Sequence, residues 1–154
     1  QGASFFNKNL PNIFKKLSLN TKIIFQTGTT DNLASDKNIK YVEFIKNMSE
    51  VMSKAKFIVC RAGASTVAEV QSLGLPAIFI PLPNSIDNHQ LKNAEIACLE
   101  GGGIILNEKE FCEENFLKII KEFDGLNHEV LSKKMRKSIH LESARKIANE
   151  IKQY

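Results

Sequence analysis

The chain has 154 residues, 43% of them apolar and 25% charged, with a formal net charge of +4. These values fit one globular domain, or at most two small ones, able to bury its own core, and they exclude disordered and fibrous classes. The longest mostly apolar stretch, Leu75 to Leu82, is interrupted by Pro76 and Pro81 and falls far short of the ~20 residues that cross a bilayer. In chain order, Ser4 to Leu17 places Phe5, Phe6, Leu10, Ile13, Phe14 and Leu17 at helical spacing, an amphipathic helix that tolerates Pro11 or kinks at it. Lys22 to Gln26 reads as a short strand, Thr27 to Lys37 as a loop, and Ile39 to Phe44 as a second strand. Asn47 to Ala55 reads as a short helix with Met48, Val51 and Met52 inward, and Lys56 to Cys60 as a buried third strand, apolar on both faces. The pattern continues with helix over Ser65 to Leu73, strand over Pro76 to Ile80, helix over Asp87 to Leu99 and strand over Gly103 to Leu106. From Phe111 onward it is helical. Strands of 4–6 residues alternating with helices of about ten are the pattern of βαβ units. The expected fold is therefore α/β, a Rossmann-like parallel sheet with helices on both faces, with residues 1–154 forming a single domain.

Cys60, Cys98 and Cys112 are odd in number, widely spaced and without a Cys-x-x-Cys pair, which points to a reducing cytosol. His89, His128 and His140 show no metal-ligand spacing, so neither a metal nor another cofactor is expected. The run Lys133-Lys134-Met135-Arg136-Lys137 reads as a solvated helix face, with an anionic membrane surface or nucleic acid as alternatives. Without Trp, and without basic residues interleaved with aromatics, nucleic acid is the weaker of these. The opening Gln1-Gly2-Ala3-Ser4 has no initiator Met and no signal-peptide character, so a piece of a longer protein is expected.

In an open α/β sheet, ligands bind beyond the carboxyl ends of the strands. Three such places stand out. In Cys60-Arg61-Ala62-Gly63-Ala64-Ser65-Thr66-Val67-Ala68-Glu69 a strand ends, Gly63 permits a tight turn, and a helix starts near Ser65. The backbone N–H groups of Ala64, Ser65 and Thr66, the two hydroxyls and the helix dipole make a site for a phosphate or diphosphate. Glu69, about one turn on, could accept two hydrogen bonds from a ribose diol. The same residues also fit a plain helix cap, with Ser65 and Thr66 capping and Glu69 completing the box or facing solvent. The second place is Pro81 to Gln90, where Asn88, His89, Gln90 and Asn93 offer amide and imidazole groups to sugar hydroxyls, and where Asp87 reads as the N-cap. The third is Phe44-Ile45, which could flank a flat base but by composition reads as core. No Gly-x-Gly-x-x-Gly follows the first strand and no P-loop motif is present, while Gly101-Gly102-Gly103 reads as a helix stop and turn.

Arg61 to Glu69, Gly74-Leu75-Pro76-Ala77, Pro81 to Pro83, and Asp87-Asn88-His89-Gln90 with Lys92-Asn93-Ala94 together resemble the C-terminal domain of the MurG family, within glycosyltransferase family 28. Phe44-Ile45 with Met48 is similar to that family's segment at the base-binding strand end, and Gln1-Gly2-Ala3 to the tail of its Gly-Gly-Ser-Gln-Gly-Ala loop. The resemblance covers essentially the whole chain. It implies the donor-binding half of a GT-B enzyme that transfers N-acetylglucosamine from UDP-N-acetylglucosamine to lipid I, giving lipid II in peptidoglycan synthesis. By the same resemblance Ile45 binds uracil through its backbone beside Phe44, Ala64 to Thr66 hold the diphosphate with Gly63 counted in the donor site, and Glu69 takes the ribose hydroxyls. Gln90, helped by His89 and Asn93, contacts the N-acetylglucosamine. No catalytic residue is implied in this chain, since the general base and the groove for the lipid-linked acceptor belong to an N-terminal domain outside it. The implied transfer is inverting and metal-independent, at the cytoplasmic face of the inner membrane. Two other readings remain: a stand-alone donor-binding subunit of a two-chain dolichol-linked N-acetylglucosaminyltransferase, and an α/β interaction module without a ligand.

Overall fold

The computed structural model describes residues 2–17, 21–28, 35–136 and 143–152. They divide into two compact units, Gln1–Met48 with Cys112–Phe123, and Ser49–Phe111 with Asp124–Tyr154. The expected loop over 27–37 and the basic run at 133–137 lie partly outside the described residues, as does Gln1.

In the first unit, helix α1 (Gly2–Phe14) contains Pro11 and turns off after Phe14, where Lys16 and Leu17 N–H groups fold back onto Ile13 O. Strands β1 (Ile23–Gln26) and β2 (Ile39–Val42) pair in parallel, with Ile23 opposite Ile39 and Gln26 opposite Val42. Aromatic residues of the helix and both strands pack together, Phe14 edge-on to Phe25 at 5.4 Å and Phe25 edge-on to Tyr41 at 5.9 Å. Leu10, Ile13 and Ile39 are buried in this unit, as are Phe116, Ile120 and Phe123 of helix α5 (Glu113–Asp124). The second strand ends at Val42 and not at Phe44, so Phe44 is not core: it is 71% exposed.

Helix α2 (Met48–Ser53) follows, with Met52 buried. In the second unit, β3 (Ile58–Cys60), β4 (Ala77–Phe79) and β5 (Gly103–Ile105) form a parallel sheet in the order β3-β4-β5, with Cys60 opposite Phe79 and Phe79 opposite Ile105. Every pairing is parallel, as the βαβ pattern predicts, but the hydrogen-bonded strands form a two-stranded and a three-stranded sheet. The expectation of a strand buried on both faces belongs to β4, whose Ala77, Ile78 and Phe79 are inaccessible, as is Ile80 just beyond it. A central parallel strand is covered on both sides, whereas β3 is at the edge of its sheet and only half-buried.

Helix α3 (Ala64–Leu73) packs on α4 (His89–Cys98) and α6 (His128–Arg136), and α4 packs on β5. Gly74, at φ 63° and ψ 34°, ends α3 in the left-handed region, with Gly74 N–H bonded to Gln71 O and Leu75 N–H to Val70 O. Arg136 covers this end and donates to Leu73 O at 2.9 Å. On α6 Lys133 and Lys134 are exposed and Met135 is buried, while α7 (Ser143–Ile151) exposes Ile147 and Ile151. Gly101 (φ 77°) stops α4 as its glycine run implies. Gly102 and Gly103 serve a different purpose, since a Cβ there would lie 2.5 Å from Met135 N and 2.7 Å from Ala77 O.

Gln71 is the anomaly of this core. It is 1% exposed on the inward face of α3 beside Val67 and Val70, and neither its Nε2 nor its Oε1 has a hydrogen-bond partner among the described residues. A buried amide without partners costs about 1–3 kcal/mol. Gln71→Met, close in shape and free of polar hydrogens, is expected to raise the urea midpoint, worth about 1 kcal/mol, with the m-value unchanged. An unchanged or lowered midpoint would contradict it.

Candidate functional site

Within the second unit the carboxyl ends of β3 and β4 run into the two helix starts singled out in the sequence. After Cys60 the chain passes through Arg61, fully buried Ala62 and Gly63, which is the N-cap of α3. The first intrahelical bond runs from Val67 N–H to Gly63 O at 2.9 Å, so the N–H groups of Ala64, Ser65 and Thr66 precede the helical ladder. Among the described residues no side chain caps the start of this helix. The capping reading of Ser65 and Thr66 is thereby corrected: they stand at the second and third helical positions, Ser65 exposed and Thr66 half-buried, and Glu69 is exposed one turn on. The tight-turn role of Gly63 is also corrected, because its φ of −64° and ψ of 148° suit any residue. A Cβ at Gly63 would meet only Thr66 Oγ1, at 4.0 Å. Neither strain nor packing against the described residues calls for glycine here, and it stands directly before three backbone donors at the positive end of a helix dipole.

The second helix start differs more from its sequence reading. Ile86–Asn88 is a single 3-10 turn, and α4 begins only at His89. Asp87 is not the N-cap: Asn88 holds that position, and both lie in the left-handed region at φ 51° and 52°, as does Asn84 at 56°. Short amide and carboxylate side chains tolerate that conformation better than most, which is why this loop can bend where a helix pattern predicts none.

The amide groups here are oriented by backbone contacts. Gln90 Oε1 accepts from Leu82 N–H at 3.0 Å, leaving Nε2 as a donor. Asn93 Nδ2 donates to Ala62 O at 3.1 Å, leaving Oδ1 as an acceptor. His89 Nδ1 lies 2.7 Å from Ile86 O, and since a carbonyl only accepts, the neutral ring carries its proton on Nδ1 and presents Nε2 as an acceptor. The Asn93 bond joins the start of α4 to the loop before α3, so Gly63, Ala64, Ser65 and Thr66 share one end of this sheet with Gln90 and Asn93.

Phe44 and Ile45 belong to the first unit. Beyond β2, Ile45 is half-buried and its N–H donates to Gln26 Oε1 at 3.0 Å, a contact from the end of β1. Reading the sequence alone misses Gln26, and it misses Arg61 and Glu108 as partners. Arg61 donates from Nη1 to Ile80 O at 3.0 Å and Pro81 O at 3.2 Å, and its Nη2 pairs with Glu108 Oε1. A charged residue directly after a strand end was the available signal for Arg61, but nothing local announces Glu108. The Cys60 and Cys98 thiols are poor nucleophiles: desolvation pushes Cys60 up to about 12, with Cys98 adding to it, and desolvation pushes Cys98 up to about 12. Among the described residues no three His, Cys, Asp or Glu side chains are grouped to hold a metal, and no helix is long and apolar enough to cross a membrane.

The description "Glycosyltransferase family 28 C-terminal domain" matches residues 1–151. The chain belongs to this family. Similar curated proteins include a UDP-N-acetylglucosamine--N-acetylmuramyl-(pentapeptide) pyrophosphoryl-undecaprenol N-acetylglucosamine transferase of Wigglesworthia glossinidia brevipalpis, 34% identical over 98% of this chain and 44% of that protein. A protein of the same name from Francisella tularensis subsp. tularensis is 36% identical over 99% of this chain and 45% of its own length. Among solved structures, Acinetobacter baumannii MurG superposes with a TM-score of 0.81 at 27% identity, covering 99% of this chain and 47% of that one. The glycotransferase of kitacinnamycin, at 14% identity and a TM-score of 0.71, shares the fold alone. The family 28 domain thus has the expected α/β fold of the C-terminal half of a GT-B glycosyltransferase, and it spans somewhat under half the length of the relatives it matches.

Proposed function

We propose that this chain is the donor-binding half of an enzyme that transfers N-acetylglucosamine from UDP-N-acetylglucosamine to lipid I, giving lipid II for peptidoglycan. The observation that carries this reading is the start of α3, where three backbone donors precede the helical ladder, two hydroxyls are uncommitted to capping, and the Gly63 Cα is uncrowded. The names of the family and of its relatives support the choice of donor and acceptor. Gly63, Ala64, Ser65 and Thr66 hold the diphosphate, Glu69 accepts from the ribose hydroxyls, and Gln90 Nε2 donates to the N-acetylglucosamine with help from His89 Nε2 and Asn93 Oδ1. Phe44 and Ile45 take the uracil. Residues 1–154 act as one donor-binding domain.

The acceptor's 4-hydroxyl oxygen forms a bond to the anomeric carbon from the face opposite the nucleotide. The bond from that carbon to the diphosphate oxygen breaks, its electron pair stays on UDP, and configuration inverts. The hydroxyl proton passes to a general base on the acceptor-binding half, outside this sequence. The dipole and amides of α3 stabilise the charge growing on the leaving diphosphate without a metal. The lipid-linked acceptor also binds to that other half, at the cytoplasmic face of the inner membrane. No observation favours a two-chain dolichol-linked enzyme.

The test is a calorimetric titration with UDP-N-acetylglucosamine, UDP-glucose and UDP, without added metal. Saturable binding that prefers the N-acetylated sugar supports the reading, and binding of none of the three contradicts it. Gly63→Ala is expected to lower the melting temperature by no more than about 4 °C, the cost of alanine at an N-cap, since the methyl group meets only Thr66 Oγ1 at 4.0 Å, yet to weaken UDP binding by about tenfold or more as it fills the diphosphate's place. Unchanged UDP affinity in Gly63→Ala would remove the diphosphate from α3.

A further inference from the structure

We infer that Arg61 is a positioning residue that, with Glu108, sets the spacing between the two loops of the donor site. The guanidinium stands at the end of β3 and reaches the end of the neighbouring strand β4 through Ile80 O and Pro81 O. It also reaches the segment after β5 through Glu108 Oε1, in the 3-10 turn Glu108–Glu110. One side chain thereby ties together the carboxyl ends of all three strands in this sheet. On either side of the tie lie the loop to α3, proposed to hold the diphosphate, and the loop from Pro81 to Gln90, proposed to hold the sugar. The inference therefore rests on the proposed function.

Exposure separates this pair from the other ion pairs among the described residues. The Arg61 and Glu108 side chains are 13% and 20% exposed, whereas the Lys16–Glu113, Lys54–Glu50 and Lys56–Asp124 pairs have side chains 44% to 72% exposed. Exposed pairs hold geometry weakly. A mostly desolvated pair strongly penalises separation, because either charge left alone loses both water and partner. The planar guanidinium also serves two carbonyls and a carboxylate in different directions, which the single ammonium of lysine does not reproduce.

If Arg61 sets spacing, its loss harms ligands that span both loops more than ligands held by one. For Arg61→Lys and Glu108→Gln, UDP-N-acetylglucosamine affinity is expected to fall by about tenfold or more while UDP affinity changes by less than about threefold, erasing the advantage the sugar confers. Equal losses for both ligands in Arg61→Lys, with Glu108→Gln unaffected, would mean that Arg61 touches phosphate directly and would overturn the inference. Equal losses for both ligands in both variants, with lowered melting temperatures, would reduce the pair to a structural role and also overturn it. If the parent chain binds neither ligand, the proposed function fails by itself. Backbone amide NMR spectra without nucleotide then still decide the positioning role. Glu108→Gln should displace resonances of both Ala64–Thr66 and Leu82–Gln90, and changes confined to residues 107–110 would refute the tie.

Discussion

Glu69→Ala is expected to weaken UDP-N-acetylglucosamine binding by about thirtyfold while changing folding stability by less than about 0.5 kcal/mol. The asymmetry follows from the side chain's position. Glu69 is exposed on α3, beyond the first turn where a carboxylate would favour the helix dipole, and α3 has no side-chain cap for it to complete. Two hydrogen bonds from a ribose diol to an ionised carboxylate, each partly offset by lost water, give a net contribution of about 2 kcal/mol, which is about thirtyfold in affinity. Glu69→Gln keeps an acceptor oxygen but no charge and should lose roughly half of that free energy. Titration of both variants with UDP-N-acetylglucosamine and with a 2′-deoxyribose analogue checks the assignment. If Glu69→Ala binds as the parent chain does, the diol contact is wrong, and if the deoxy analogue discriminates among the variants as the natural donor does, the carboxylate acts elsewhere.

Gly102→Ala should be among the most damaging small substitutions to stability, by about 3 kcal/mol, a large share of the 5–15 kcal/mol that holds a typical domain together. The new methyl group would sit 2.5 Å from Met135 N, 2.7 Å from its Cα and 2.8 Å from its Cβ. Two of these are backbone atoms of α6, so no rotamer change relieves the clash, and α6 must move away from the start of β5. Met135 is 1% exposed, so that movement also opens the core. Gly101→Ala is the control. Its Cβ would meet the flexible end of Lys134 at 3.4 Å, and its cost is the left-handed backbone at φ 77°, about 1–2 kcal/mol. Thermal unfolding of the two variants should show a drop of roughly 6–12 °C for Gly102→Ala and a smaller one for Gly101→Ala. Equal drops would show that backbone strain, and not the approach of α6, explains the glycine run.

Features legible in the sequence were those set by neighbours along the chain. The order of strands and helices, the parallel pairing, the end of α3 at Leu73 and the helix start after Gly63 all depend on periodicities and turn residues within a few positions. The candidate binding residues were legible for the same reason, as they stand at strand ends where an α/β fold presents its loops. The start of α4 was misplaced because left-handed Asp87 and Asn88 interrupt a helix pattern that their neighbours continue, and Asn tolerates that region without marking it.

The tertiary structure alone decided the rest, because each remaining feature joins residues far apart in the chain. Pairing put β4 at the centre of its sheet and β3 at the edge, a difference their similarly apolar sequences do not carry. The reach of Arg61 to Ile80, Pro81 and Glu108 joins the ends of three strands that become neighbours only when the sheet forms. Gly102 owes its identity to the backbone of Met135, whereas Gly63 is free of both strain and crowding among the described residues. Local chemistry is written into neighbouring residues, whereas close approach and desolvation depend on which distant segments the fold brings together.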